Sequence, residues 1–193
     1  MLENIKKYNV ILGSQSPRRQ QLLREIIPNF NISVKDVDET YSSELKREEI
    51  CIYLSQLKSE AFGQLKSDDM LITSDTIVCL GDEVLGKPKN EKESLTMLSK
   101  LSGNTHTVYT GVTIRTQEKT VSFYDDTKVT FYDLSQDELM YYIKECKPFD
   151  KAGSYGIQEW MGYVGIEKME GEFYNVMGLP VHKLYRFLKS WSV

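Results

Sequence analysis

The chain has 193 residues, 40% hydrophobic and 11% aromatic, with 24 Lys and Arg against 28 Asp and Glu for a formal net charge of −4. That length predicts a single domain over residues 1–193 with a real core. The acidic balance argues against a nucleic-acid partner held by a broad basic face, while leaving room for a local basic pocket around one small anion.

Residues 8–13, short and apolar, predict a buried strand. Ser16 can cap the helix that follows, with Pro17 at its first position, where a missing N–H costs nothing. Leu22, Leu23, Ile26 and Ile27 give that helix an apolar face, and Pro28-Asn29 stops it. Phe30, Ile32 and Val34 alternate with polar residues as in a half-buried strand, which delivers the chain to Asp36-Val37-Asp38-Glu39-Thr40. Over residues 46–65, Ile50, Tyr53, Leu54, Leu57, Ala61 and Leu65 recur at helical spacing. Residues 70–80 predict a central strand interrupted by the polar stretch Thr73-Ser74-Asp75-Thr76, with a turn at Gly81-Asp82.

Asn90 and Glu93 form a capping pair for a helix over about 91–101, ended by Gly103. Two β-rich runs follow, 105–115 and 120–132, and then a short helix begun by a second capping pair, Ser135 and Glu138. Residues 148–158 are loop-like, 163–170 predict a strand, and Pro180 opens a last helix with Leu184 and Leu188 on its apolar side. Helices and strands alternate first and a β-rich section comes later, so the predicted class is α/β with a mixed sheet.

Four places could carry chemistry. The first is Gly13-Ser14-Gln15-Ser16-Pro17-Arg18-Arg19, a strand–turn–helix junction of the kind that presents backbone N–H groups to an anion. Arg18 and Arg19 oppose the helix dipole there, and guanidinium forks bind phosphate oxygens bidentately. A pair of solvated arginines on an exposed turn is the other reading. The second is Asp75, a carboxylate in an apolar strand, costly to bury unless it is paired or holds a cation. With Asp38 and Glu39 it could supply the few oxygen ligands that Mg²⁺ takes from proteins. A strand-end Asp bonded to nearby backbone, and ordinary loop carboxylates, are the alternatives.

The third is Gly86-Lys87-Pro88, a stiff loop presenting a point charge, with Lys58 beside the apolar stripe of the long helix as a similar cation. A solvated loop lysine and a snorkelling helix lysine are the plainer readings. The fourth is residues 149–158, where Asp150, Lys151, Tyr155 and Gln158 could wall a flat ring, and the Gln158 amide offers both a donor and an acceptor to a base edge. His106 and His182, the 2 histidines, are too isolated for a metal site or a triad and are expected to be packed or surface residues. Cys51, Cys79 and Cys146 are scattered, with no Cys-x-x-Cys pair, which predicts reduced thiols and a cytoplasmic setting. No apolar run approaches the ~18 residues of a membrane span, and residues 1–10 show no apolar leader, so neither membrane nor secretion is expected.

Five blocks in order resemble the Maf-like nucleoside triphosphate pyrophosphatases, a family also called septum formation inhibitor Maf. They are ILGSQSPRRQQLL, DVDET with LSQLKSEA, SDTIVCLGDEVLGKPKN, LSGNTHTVYTGVTI, and DKAGSYGIQ with GEFYNVMGLP. The resemblance runs from about residue 9 to 188. It implies an elongated, mixed α/β, Maf/ITPase-like fold with central sheet and flanking helices, a site in a cleft, and a homodimer. It implies phosphate contacts from Ser14, Arg18, Arg19, Lys58 and Lys87, and metal or water-activating roles for Glu39 and Asp75. The implied reaction splits a nucleoside triphosphate into monophosphate and pyrophosphate with Mg²⁺ or another divalent ion such as Mn²⁺.

Arg18, Thr76 and Gln158 fall on the side of the subgroup associated with dTTP and UTP, against a sister subgroup associated with 7-methyl-GTP. Gly13 stands where alanine is usual, and Glu159-Trp160 stands where glycine is common, which bears on the base pocket. The competing expectations are a preference for another base, such as inosine or xanthosine triphosphate, and a nucleotide-binding regulator of cell division with incidental turnover.

Overall fold

Val10 and Leu12 are buried on strand β1, Asn9–Leu12, the apolar run that precedes the Gly13 turn. The computed structural model describes residues 2–192. Helix α1, Pro17–Arg24, begins as the sequence predicts: the Ser16 hydroxyl accepts from the Arg19 N–H, Pro17 occupies the first turn, and Leu22 and Leu23 are buried. Its regular part ends at Arg24, short of the predicted stop at Pro28, and Ile27 continues the apolar face through a turn by donating its N–H to Leu23 O.

The strand predicted around Phe30, Ile32 and Val34 is smaller and wetter than its alternation suggests. Only Asn31–Ile32 (β2) pairs, parallel to β1, and Ile32 and Val34 are 44% and 36% exposed. The pairing is at the sheet edge, where a strand has one neighbour to hold it.

Helix α2, Glu48–Glu60, buries Ile50, Cys51 and Leu54 and sets Glu48 and Glu49 in its first turn, where acidic side chains favour the dipole. It is shorter than the predicted 46–65. Phe62 donates to Ser59 O, and Gly63 takes a positive φ of 62° that turns the chain away. Arg115 then satisfies carbonyls at this helix end, donating from Nη1 to Gly63 O at 3.0 Å and from Nη2 to Ser59 O at 2.5 Å.

Strand β3, Asp69–Leu80, runs parallel to β1 with Val10 opposite Met70 and Leu12 opposite Ile72. The predicted interruption at Thr73–Thr76 does not occur. Buried polar side chains break a strand only when they lack partners, and here Thr73 Oγ1 donates to Ser55 O, Ser74 Oγ to Gly178 O, and Asp75 pairs with Lys58.

Gly81, at φ 62°, turns the chain into β4, Glu83–Leu85, antiparallel to β3. Helix α3, Glu91–Leu101, is capped by Asn90, and helix α4, Gln136–Cys146, by a full Ser135–Glu138 capping box, both as predicted. Strands β5, Thr105–Arg115, and β6, Thr120–Phe131, match the two β-rich runs. The predicted strand at 163–170 is divided: helix α5, Trp160–Val164, takes its start, and β7, Ile166–Glu170, its remainder, paired antiparallel with β6. A short helix α6, Phe173–Met177, precedes the last helix α7, Val181–Lys189, which opens after Pro180 and buries Leu184 and Leu188.

The strand order is β2-β1-β3-β5-β6-β7, with β4 on β3. Parallel and antiparallel pairs are both present, so the class is the expected α/β with a central mixed sheet and helices around it. By contacts the chain divides into two compact units, residues 1–75, 110–125 and 178–193, and residues 76–109 and 126–177. The first buries Leu12, Leu23, Met70, Leu71, Ile72, Val112 and Ile114 at its core, and the second Leu98, Leu101, Val108, Val129, Phe131 and Ile143. Among the described residues no helix is long and apolar enough to cross a membrane.

Candidate active site

In the first unit the β1–α1 turn packs directly on β3. Gly13 donates its N–H to Ile72 O at 2.8 Å, and a Cβ on Gly13 would lie 2.7 Å from the Thr73 methyl group. The absent side chain is therefore a packing requirement of Thr73. Ser14 is buried, and its hydroxyl accepts from the Ser16 N–H at 3.2 Å, which folds the turn back toward the start of α1.

Arg19 sits in the first turn of α1 and reaches across to two carbonyls. Its Nε donates to Gly178 O and its Nη1 to Ser74 O, both at 2.8 Å. Removal of the guanidinium from water lowers its pKa from the ordinary arginine value, and the Asp75 carboxylate acts in the opposite sense. The arginine that opposes the helix dipole thus ties α1 to the strand residue next to Asp75. Arg18, one position earlier, is half-buried.

Asp75 and Glu39 converge on a single ammonium. Lys58 Nζ contacts Asp75 Oδ1 and lies 3.0 Å from Glu39 Oε1, with the Asp75 side chain 10% exposed and that of Glu39 49%. Lys58 is delivered by α2, and α2 is fastened by a buried polar seam. Ser55 Oγ meets Thr113 Oγ1 at 2.8 Å, Thr113 meets Ser122 at 2.9 Å, and Thr73 donates to Ser55 O at 2.7 Å. Gly111 lets the α2 backbone approach β5 so closely that any Cβ there would collide with Cys51 O. Asp38, adjacent to Glu39, is engaged locally, accepting from the Thr40 N–H and hydroxyl.

The second unit holds Thr76, Lys87 and Gln158. Thr76 is half-buried on β3, and Lys87 is exposed on a loop whose next residue, Pro88, is buried. That loop is held by Gly153, which donates its N–H to Gly86 O at 3.1 Å and takes a positive φ of 66°. The 152–154 turn is in turn locked to α3 by the Ser94–Ser154 hydroxyl pair at 2.5 Å.

Beyond it, Tyr155 is buried and its hydroxyl meets His106 Nε2 at 2.7 Å, with the two rings edge to face. Gln158 Oε1 is a buried acceptor without a hydrogen-bond partner among the described residues. A buried amide oxygen of this kind has acceptor capacity to spare for a water or a ligand donor.

The sequence comparison decides the family. The Maf profile, described as Maf-like protein, matches residues 9–191. The chain belongs to the Maf-like family.

Full-length relatives agree. The dTTP/UTP pyrophosphatase of Flavobacterium johnsoniae is 49% identical over 189 residues, covering 97% of each chain. That of Porphyromonas gingivalis strain W83 is 48% identical over 196 residues, covering 100% of this chain and 98% of the relative. Among solved structures, the Staphylococcus aureus Ham1 protein superposes with a TM-score of 0.52 at 17% identity, covering 93% of this chain and 97% of that one. A HAM1 protein from Coxiella burnetii gives 0.53 at 11%, covering 95% and 100%. At such identities these two establish the shared fold alone.

The structure joins Glu39, Lys58 and Asp75 by ion pairs, with Arg19 within their electrostatic reach and Ser14 elsewhere in the same unit, and it also engages side chains that periodicity does not flag. Ser55, Thr113 and Arg115, which hold α2, lie far apart in sequence, and Tyr142 reads as an ordinary apolar-face residue of α4. The one available signal was polar residues at buried positions of α2 and β5.

His182 is surface-exposed, 4.0 Å from Asp125, and His106 is packed, as expected of both. Burial lowers the His106 pKa to about 4. Its neutral ring contributes stability that is full above the ordinary histidine value near 6.5 and is lost as pH falls toward 4, because the unfolded chain takes up the proton first. Wild type is therefore expected to lose roughly 2 kcal/mol more than His106→Gln between pH 7 and 5 in urea unfolding. Parallel losses in the two proteins would refute the assignment.

Proposed function

We propose that this Maf-like chain hydrolyses dTTP and UTP to the monophosphate and pyrophosphate, a nucleotide-pool clearing activity. The observation that carries the reading is the Lys58 ammonium shared by Asp75 and Glu39, in the same unit as the β1–α1 turn and the Arg19 guanidinium. The relatives named dTTP/UTP pyrophosphatase, at about half identity over nearly the whole chain, support the same activity and base class.

Asp75 and Glu39 present carboxylate oxygens, the donor set a hard divalent cation prefers, so the residues fit Mg²⁺ or Mn²⁺. Bound there, the ion would supply Lewis-acid polarisation of a phosphoryl oxygen and an acidified water. In the proposed reaction water attacks the α-phosphorus, the bond from that phosphorus to the bridging oxygen breaks, and the water proton passes to the carboxylate cluster. Lys58 offsets the repulsion between the two carboxylates, and Ser14, Arg18, Arg19 and Lys87 are assigned to the charge developing on pyrophosphate. Thr76 and Gln158 are assigned to the nucleoside. An amide acceptor suits the N3–H that uracil and thymine carry and cytosine lacks. A homodimer acting in the cytoplasm belongs to the same proposal, supported by the family resemblance.

The purified protein with Mg²⁺ is to be given dTTP, UTP, 7-methyl-GTP and dITP, with monophosphate and pyrophosphate quantified. Equimolar products are expected, fastest from dTTP and UTP. Faster release from dITP or 7-methyl-GTP would overturn the base assignment, and no release from any nucleotide would overturn the activity.

A further inference from the structure

Glu159 precedes helix α5 in the capping position, yet its side chain makes no cap hydrogen bond. Its carboxylate instead turns inward to two groups. Tyr142, fully buried on α4, donates its hydroxyl to Glu159 Oε2 at 2.5 Å, and Lys151 Nζ lies 3.0 Å from Glu159 Oε1. The same Tyr142 oxygen accepts the Gly156 N–H at 3.0 Å. Gly156 lies against the carboxylate itself, since a Cβ there would stand 2.9 Å from the Glu159 carboxyl carbon. Glu159 also donates its N–H to Gly156 O at 3.1 Å. Residues 156–159 thus close into a tight loop against one carboxylate, and Gln158, with its unpartnered buried Oε1, is one of the residues of that loop.

Three consequences follow from the chemistry of these groups. Burial first, and then the bond to Glu159, push the Tyr142 hydroxyl above its ordinary pKa, so it stays a neutral donor near neutral pH. The Lys151 ammonium is taken up by two carboxylates, Glu159 and Asp150 at 2.7 Å, and so serves the loop as a strut. Phe131 and His106 pack against Tyr155, both rings edge to face with it. The backbone that carries Gln158 is therefore gripped at Tyr155 and at Gly156 before any ligand arrives, the condition under which a single amide can discriminate between bases.

We propose that Glu159 and Tyr142 are positioning residues for base selection, forming a clamp behind Gln158 that fixes the direction of its amide acceptor toward the N3–H of a uracil or thymine ring. This rests on the nucleotide reading above, and Glu159, which takes both the Tyr142 hydroxyl and the Lys151 ammonium, is the residue that builds the clamp.

The test compares Glu159→Gln and Tyr142→Phe with wild type. Glu159→Gln keeps an acceptor for Tyr142 and loses the Lys151 pair, while Tyr142→Phe loses both hydroxyl contacts at nearly constant volume. In each, the ratio of kcat/KM for dTTP over dCTP is expected to fall about tenfold through a rise in KM for dTTP. At the same time kcat and the inhibition constant of pyrophosphate, which report the phosphate end, are expected to stay within about threefold of wild type.

A folded variant with an unchanged dTTP/dCTP ratio overturns the proposal, as does an equal loss on both nucleotides. Calorimetric binding of dTMP separates this from the activity itself. A wild type that hydrolyses nothing but binds dTMP in preference to dCMP, with the preference lost in the variants, sinks the activity and retains the clamp. A wild type with no such preference sinks the clamp as well.

Discussion

Asp75→Asn is expected to lower kcat for dTTP by about 10²- to 10⁴-fold, the range set by loss of a positioned proton acceptor or metal-binding oxygen. The geometry explains why the effect falls on chemistry and leaves the fold in place. Asparagine keeps one oxygen that can accept from Lys58, and Glu39 still faces that ammonium at 3.0 Å, so the lysine is not left as an uncompensated buried charge. The change in unfolding free energy is expected to stay within about 2 kcal/mol, since one partner of the cluster remains. Nucleotide binding by calorimetry is expected to persist. Turnover within tenfold of wild type would remove Asp75 from the catalytic assignment, and a large loss of stability would make its role structural.

Arg19→Ala has the second large effect, and it is mixed. Deleting the guanidinium removes donors to Gly178 O and Ser74 O and so unfastens α1 from β3. Hydrogen bonds from a charged donor contribute about 1.5–3 kcal/mol each, and Gly178 O retains the Ser74 hydroxyl as a donor at 3.2 Å. A loss of roughly 2–4 kcal/mol in urea unfolding is therefore expected. Arg19→Lys restores the charge but cannot span two carbonyls with one ammonium, so it is expected to recover less than half of the loss. If Arg19 acted on the phosphate alone, both variants would unfold with the wild type, and only the pyrophosphate inhibition constant would change.

These two residues also mark the limits of sequence reading. Arg19 was legible as a candidate because two arginines in the first turn of a helix are unfavourable locally and so call for a reason. Its grip on β3 was not legible, because the Ser74 carbonyl, 55 residues away in sequence, is brought close only by the fold. Asp75 stood out as a carboxylate in an apolar run, but the predicted break in the strand did not materialise. Lys58, Ser55 and Gly178 supply the partners that let the strand continue, and each of them is distant in sequence.

The weak alternation of Phe30, Ile32 and Val34 erred in the opposite sense: periodicity marks which residues share a face, not whether another layer covers it. Short elements failed for a related reason. Helix α5 spans Trp160–Val164, too few residues to establish a helical period, and Gly165 closes it by donating to Met161 O.

Sequence alone determined the local chemistry: the Ser16, Asn90 and Ser135 caps, the long strands, the α/β class, and the ordered motifs that place the chain in the Maf-like family. Those features rest on neighbouring residues and on order along the chain, which one dimension contains. Tertiary structure alone decided which charges meet. Lys58 with Asp75 and Glu39, Arg19 with the β3 carbonyl, and Tyr142 with Glu159 and Gly156 are pairings across the fold. Their energies depend on burial and on a few ångströms of separation, quantities that the order of residues does not carry.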